Sequence, residues 1–163
     1  MSTVRTSRRV ASVLRHDGDV ERTPDGWVKV TEVLHRLGIT RAKLADVLAA
    51  STRYELDPHQ QRIRARYGHS IPTRTGQPTE PPTVLYHGTK WSSLTPILRD
   101  GLSPMSRQQV HLHTDPDVVV RRGAAVLAIA AQDASEQGHH FYDVGGGVWL
   151  TSAVPAQFIT RAN

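Results

Sequence analysis

Residues 71–82 set the first limit on what this chain can fold into. The stretch holds Pro72, Pro78, Pro81 and Pro82, with Thr73, Thr75, Gly76 and Thr79 between them. Proline cannot donate to a helix or sheet ladder, and glycine loses much entropy on ordering, so a regular element does not cross such a segment. It reads as a boundary between two lobes, residues 1–75 and 76–163. The hydrophobic pattern changes across it. Helical spacing dominates before it and short apolar strands separated by glycines follow it, which gives an α+β chain whose second lobe is mainly β.

In the first lobe, Ser7 reads as the cap of a helix with Val10, Val13 and Leu14 at i, i+3 and i+4, ending in Arg15-His16-Asp17-Gly18. Cations in a last turn are favoured by the helix dipole and project from the end of a rigid element. Thr23-Pro24-Asp25-Gly26 signals a turn, and Trp27, Val28 and Val30 a short strand. Two short helices follow. Thr31 opens one that carries Val33, Leu34 and Leu37 and stops at Gly38; Thr40 caps the next, with Leu44, Val47 and Leu48. Arg53-Tyr54-Glu55-Leu56, a turn at Asp57-Pro58 and the run from Arg62 to Arg66 then read as a hairpin. Helices followed by a hairpin make a winged-helix arrangement, which commonly meets nucleic acid and in other cases binds only proteins.

The second strand of that hairpin is unusual. Arg62, Arg64 and Arg66 alternate with Ile63 and Ala65, which places three guanidiniums on one face. A planar fork of donors that keeps its charge at neutral pH suits a polyanion, whereas the competing reading is the solvated outer face of an edge strand. Charge distribution favours the polyanion. Residues 1–80 hold 14 Arg and Lys against 9 Asp and Glu, while residues 81–163 hold 6 against 6, so the whole net charge of +5 lies in the first half. A GC-rich genome raises arginine content by itself, so the asymmetry carries this argument and the total does not. A basic half joined to a neutral half points to nucleic acid at the first and a different task at the second.

The second lobe reads as strands at Val84-Leu85-Tyr86, Val110-His111-Leu112, 125–129, Phe141-Tyr142 and Val148-Trp149-Leu150, with one helix from Ser92 to Arg99 closed by Gly101. His87-Gly88-Thr89 directly follows the first strand, where a glycine lets a ligand approach the backbone. His111 and His113 alternate on one strand face, and Arg121-Arg122-Gly123 is a second basic point. The chain has nine histidines and no cysteine. A metal site at His111, His113, His139 and His140 is conceivable, but no carboxylate recurs beside them at ligand spacing, so no metal is expected. The absence of cysteine also excludes a disulfide framework and a thiolate nucleophile. No paired carboxylates, nucleophile elbow, phosphate-binding P-loop or dinucleotide fingerprint occurs. Chemistry would rest on arginine, histidine and backbone groups, which suit the stabilisation of negative charge on phosphate. With no apolar leader and no run of about 18 apolar residues, the expected location is cytoplasmic.

Taken together, seven motifs resemble a known family. Leu14-Arg15-His16-Asp17, Asp25-Gly26-Trp27-Val28, Ile63-Arg64-Ala65-x-x-Gly68-His69-Ser70, Leu85-Tyr86-His87-Gly88-Thr89, Gly101-Leu102-x-Pro104-Met105, Val110-His111-Leu112 and Gly147-Val148-Trp149-Leu150-Thr151 occur in the order seen in NAD-dependent RNA 2′-phosphotransferases. The resemblance implies a winged-helix RNA-binding lobe followed by an ADP-ribosyltransferase-like NAD-binding lobe. The family reaction removes an internal RNA 2′-phosphate, such as one left at a splice junction in tRNA splicing or RNA repair. That phosphate attacks C1″ of the NAD ribose and expels nicotinamide. The ribose O2″ then attacks phosphorus, releasing 2′-hydroxyl RNA and ADP-ribose 1″,2″-cyclic phosphate.

Carried over by motif, the catalytic set falls on Arg15, His16, Arg64 and Arg121, with Arg122 the neighbouring candidate for the fourth place. His16 is left with two roles, holding phosphate or handling protons. The NAD positions fall on His87, Gly88, Thr89, His111 and Val148; the last stands where many ADP-ribosyltransferases place glutamate, which an already anionic nucleophile does not need. The chain departs from the family at Val119, where glycine is frequent, at Arg66 and Tyr67, where Asn and Gln are common, and at His113, where serine is common. The expected partners are RNA bearing an internal 2′-phosphate and NAD, with no membrane and a monomeric protein. Two alternatives stand: ADP-ribosylation of terminal nucleic-acid phosphates, and a non-catalytic winged-helix nucleic-acid-binding protein.

Overall fold

The computed structural model describes residues 2–120 and 124–162. The chain divides into two compact units, Met1–Thr75 and Gly76–Asn163. Each contains its own hydrophobic core and an antiparallel sheet, and the fold is α+β. Residues 71–82 carry no helix or strand.

In the first unit, α1 (Thr3–His16) is followed by β1 (Val28–Lys29), α2 (Val30–Leu37), α3 (Arg41–Ala49), β2 (Tyr54–Leu56) and β3 (Arg62–Ala65). Gly38 closes α2 with a left-handed backbone, and the Thr40 side chain accepts from the Lys43 amide to cap α3. Two boundaries differ from the sequence expectation. The first helix begins at Thr3, capped by Ser2, and not at Ser7. Thr6 is buried on the same stripe as Val10 and Val13, so a polar residue type hides the first apolar turn of the pattern. Val30 opens α2 and does not belong to the strand, although its amide still donates to the Gln61 carbonyl at 2.8 Å.

The sheet order is β1-β3-β2, so β3 is the middle strand and its arginines do not sit on an edge. Ile63 and Ala65 are buried in the core, while Arg62 is exposed and Arg64 half-buried on the opposite face. Arg66 lies just past the strand, with its amide donating to the Arg53 carbonyl at 2.9 Å.

The second unit contains β4 (Val84–Lys90), α4 (Leu94–Asp100), β5 (Val110–His113), α5 (Pro116–Val119), β6 (Ala124–Ala130), α6 (Ala131–Glu136), β7 (Phe141–Asp143), β8 (Val148–Thr151) and β9 (Ile159–Arg161). Its six strands run in the order β7-β8-β5-β4-β6-β9, around a core that includes Leu85, Leu112, Leu127, Ile129, Phe141 and Trp149. His87, Gly88 and Thr89 do not follow a strand; they lie inside β4, paired with Leu127, Val126 and Ala125 of β6. The apolar run of β6 is seven residues long, and the ladder extends along all of it. The sequence reading also lacked α5, α6 and β9, which are three to six residues long and too short to show a period.

Replacing Ile63 with Ala removes a fully buried side chain from the strand that bears Arg62 and Arg64. It is expected to cost roughly 2–5 kcal/mol, read as a lowered urea midpoint; an unchanged midpoint would contradict a central role for β3.

Candidate functional site

Arg15 and His16 form the last turn of α1. Carbonyls at a helix end lack partners within the helix, and here Arg22 supplies them. Its Nη1 donates to the Leu14 carbonyl at 2.7 Å, and its Nη2 donates to the carbonyls of Val13, at 3.4 Å, and Asp17. Burial pulls the Arg22 pKa down, opposed by the nearby Asp17 carboxylate. A second tether comes from the segment after β3. The Ser70 amide donates to the Arg15 carbonyl at 3.1 Å, and the Ser70 hydroxyl donates to the same oxygen at 3.4 Å. Ser70 Oγ also lies within hydrogen-bond distance of His16 Nδ1, 2.9 Å away, so Nδ1 is engaged by Ser70 and Nε2 is the ring nitrogen turned to other partners.

Gly68 makes room for this arrangement. Its φ is +84°, and a Cβ there would lie 3.2 Å from Cζ of Arg15. The Arg15 guanidinium also sits 5.2 Å from the centre of the Tyr67 ring. His69 is buried, with Nε2 donating to the Ala65 carbonyl at 2.9 Å. Its pKa is lowered, first by burial and then by the charges of Arg15, Arg22 and His16, while the bond to Ala65 opposes the shift.

Arg64 is held on three sides. Nε and Nη2 both donate to Glu55 Oε2, at 3.0 and 2.9 Å, and Nη1 donates to the Asp25 carbonyl at 3.4 Å. The guanidinium stacks over Trp27, 4.4 Å from the ring centre. Of its five N–H groups these bonds take three, which leaves one on each terminal nitrogen. Such a pair matches two oxygens of one phosphate.

In the second unit the pairing of β4 with β5 is the single pair Tyr86 and His113. Continuing that register would set Gly88 opposite His111. Instead, His87 Nδ1 donates to the His111 carbonyl at 2.9 Å. Gly88 lies against the Val119 carbonyl, in the space a Cβ would need. His111, His113 and Val148 share one sheet face, because His111 pairs with Leu150 and His113 with Val148 on β8. The His87 pKa is lowered by burial, and less by Arg107, against the pull of the backbone bond, so the ring is neutral with Nε2 as an acceptor. His111 Nδ1 donates to the Gln109 carbonyl at 3.0 Å. His113 has the opposite tautomer, since its Nδ1 accepts from the Asp115 amide at 2.9 Å. A neutral acceptor such as His87 Nε2 fits a hydroxyl donor such as one of a ribose.

The structure therefore brings Arg15 together with His16, sets Arg64 in the same unit, and links His87 to His111 in the other. Arg121 and Arg122 lie outside the described residues. Among the described residues no group of three or more His, Asp or Glu is placed to hold a metal ion. The sequence reading missed Arg22, Glu55 and the bonding of Ser70. Glu55 lies directly opposite Arg64, but the Asp57-Pro58 turn signal alone does not give that register, which the longer loop between Leu56 and Arg62 sets; Arg22 had no signal.

A family model described as "RNA 2'-phosphotransferase, Tpt1 / KptA family" matches residues 1–153. The chain belongs to this family. Its relatives include proteins named "Probable RNA 2'-phosphotransferase" from three bacteria. That of Agrobacterium fabrum is 39% identical over 176 residues, covering 98% of this chain and 94% of that protein. Those of Herpetosiphon aurantiacus and Streptomyces coelicolor are 35% and 36% identical, each covering 96% of this chain and 94% of the relative. Family membership places the chain among transferases. No helix among the described residues is long and apolar enough to cross a membrane.

His69 and His87 both resist protonation in the folded state. Below the ordinary histidine value of 6.5 the unfolded chain binds protons that the native chain does not, so stability is full above that value and falls as pH drops through the window between it and the lowered native pKa values. Urea unfolding from pH 7.5 down to 5 is expected to show this loss, reduced in His69→Gln; a variant with an undiminished loss would contradict the assignment to His69.

Proposed function

We propose that this protein removes an internal 2′-phosphate from RNA and transfers it to NAD. The observation that carries the proposal is the Arg64 fork, fixed by Glu55, Asp25 and Trp27 so that one N–H on each terminal nitrogen remains, in the same unit as the tethered Arg15-His16 turn. The first unit is the RNA lobe, of winged-helix type. The second is the NAD lobe, of ADP-ribosyltransferase type, with His87, Gly88, Thr89, His111 and Val148 at the nucleotide. The neutral imidazole of His87 supplies an acceptor for a ribose hydroxyl.

NAD, when bound, supplies an electrophilic ribose carbon with nicotinamide as its leaving group and a neighbouring hydroxyl that takes the phosphoryl group. The chain's own part is to hold and neutralise the RNA phosphate. That phosphate is already an anion, so no residue has to deprotonate the nucleophile. Arg15 and Arg64 grip its oxygens, and their donors strengthen as charge builds on phosphorus. His16 works through Nε2, because Nδ1 is committed to Ser70. As an imidazolium it donates to a phosphate oxygen, and as a neutral ring it takes a proton. Arg121 fills the fourth family position.

RNA with one internal 2′-phosphate, incubated with NAD and the protein, is expected to give 2′-hydroxyl RNA, nicotinamide and ADP-ribose 1″,2″-cyclic phosphate. ADP-ribose that stays on the RNA would favour a terminal-phosphate ADP-ribosyltransferase, and absence of nicotinamide release would overturn both enzymatic readings. Arg64→Ala should lower turnover at least about a hundredfold, and Arg64→Lys should recover little of it, since lysine keeps the charge and loses the fork. Glu55→Ala, which frees the Arg64 side chain to rotate, should cost roughly ten- to a hundredfold, with Glu55→Gln milder because its carbonyl oxygen still accepts. Near-normal rates in the Arg64 variants would contradict the assignment.

A further inference from the structure

The sheet of the first unit carries another pair of cations that the reaction leaves unused. In the antiparallel register of β1 and β3, Val28 lies opposite Ile63 and Lys29 opposite Arg62. Val28 and Ile63 are fully buried, so Lys29 and Arg62 together face outward on the other side of the sheet. Like charges directly opposite each other destabilise a sheet. Little in the fold offsets this. Arg62 makes no ion pair among the described residues, and Lys29 has Glu21 at 3.6 Å, a pair exposed enough to contribute little. Lys29 and Arg62 also line a cleft of about 90 Å³ with Glu21, Arg22, Thr23 and Trp27. Trp27 is the ring on which Arg64 stacks, so the cleft adjoins the Arg64 fork.

Arg64 lies on the same face, two residues beyond Arg62 and thus about 7 Å along the strand. Only the vicinal ribose carbons and their oxygens separate a 2′-phosphate from the adjoining 3′-phosphodiester, so the two groups lie within that reach. We infer that Lys29 and Arg62 form a subsite for a backbone phosphodiester of the RNA, next to the nucleotide whose 2′-phosphate Arg64 holds. The inference rests on the reading that Arg64 holds that phosphate. The subsite gives the protein a means to tell an internal 2′-phosphate from the same group on a free nucleotide, which has no neighbouring phosphodiester to offer. A cost in sheet stability is retained because the pair is used when RNA is bound.

The test is equilibrium binding of a short labelled RNA carrying one internal 2′-phosphate, measured against salt for the wild type, Lys29→Ala/Arg62→Ala and Arg5→Ala, with turnover followed in the same samples. Both residues are exposed, so the double variant is expected to fold, which its urea midpoint checks. Loss of the contact to that one phosphodiester should make the salt dependence shallower by roughly 0.7 in log–log slope and weaken binding roughly tenfold near about 0.1 M salt. Arg5→Ala, at the far end of α1, should change the slope little. A 2′-phosphorylated mononucleotide should lose no affinity in the double variant. An unchanged slope for the RNA, or an equal loss for the mononucleotide, would overturn the subsite. Failure of the wild type to turn the RNA over would overturn the transferase reading instead, while the slopes still decide this one.

Discussion

The bond between Ser70 and the end of α1 is the constraint on which the proposed phosphate site of the first unit depends. Arginine and histidine in a helix's last turn are flexible by nature, and an exposed helix end frays. Here the turn is tied twice, by Arg22 across its open carbonyls and by Ser70 through the Arg15 carbonyl and His16 Nδ1. Because Ser70 follows β3 by only a few residues, the same stretch of chain that carries Arg64 fixes the geometry of Arg15 and His16. Gly68 and the buried His69 are what let this stretch lie so close to the helix.

Arg64 illustrates how a strand can present a cation without leaving it loose. A free arginine would lose much side-chain entropy on binding phosphate. Glu55, Asp25 and Trp27 hold it in advance, so less ordering remains for the moment of binding. The carboxylate also offsets part of the charge that would otherwise repel Arg66, 3.8 Å from the same oxygen. In the second unit the comparable device is the split between β4 and β5, where the His87 ring takes the His111 carbonyl and Val119 closes over Gly88. On the proposed reading one unit supplies fixed donors for phosphate and the other a neutral acceptor for ribose.

Much of this was legible because it is written in local signals. Gly38 and Thr40 mark helix ends by their own conformational preferences, the hairpin is announced by Asp57-Pro58, and the ordered motifs identify the family. What was hidden depends on contacts distant in sequence. Arg22 looks like any surface arginine until the helix end folds beside it. Thr6 is polar in type yet buried in fact, which concealed the first turns of α1. The strand containing His87, Gly88 and Thr89 was cut short because histidine, glycine and threonine interrupt an apolar run, whereas the length of β4 is set by its partner β6.

The central claim is that Arg64 and His16 receive the 2′-phosphate itself and not RNA in general. Nitrogen NMR of the full-length protein addresses this directly, by following Arg64 Nε and the His16 ring nitrogens as matched short RNAs, with and without one internal 2′-phosphate, are added. Large shifts at both residues with the phosphorylated RNA, and small ones with its 2′-hydroxyl counterpart, are the predicted result. Equal shifts with the two RNAs, or none with either, would contradict it.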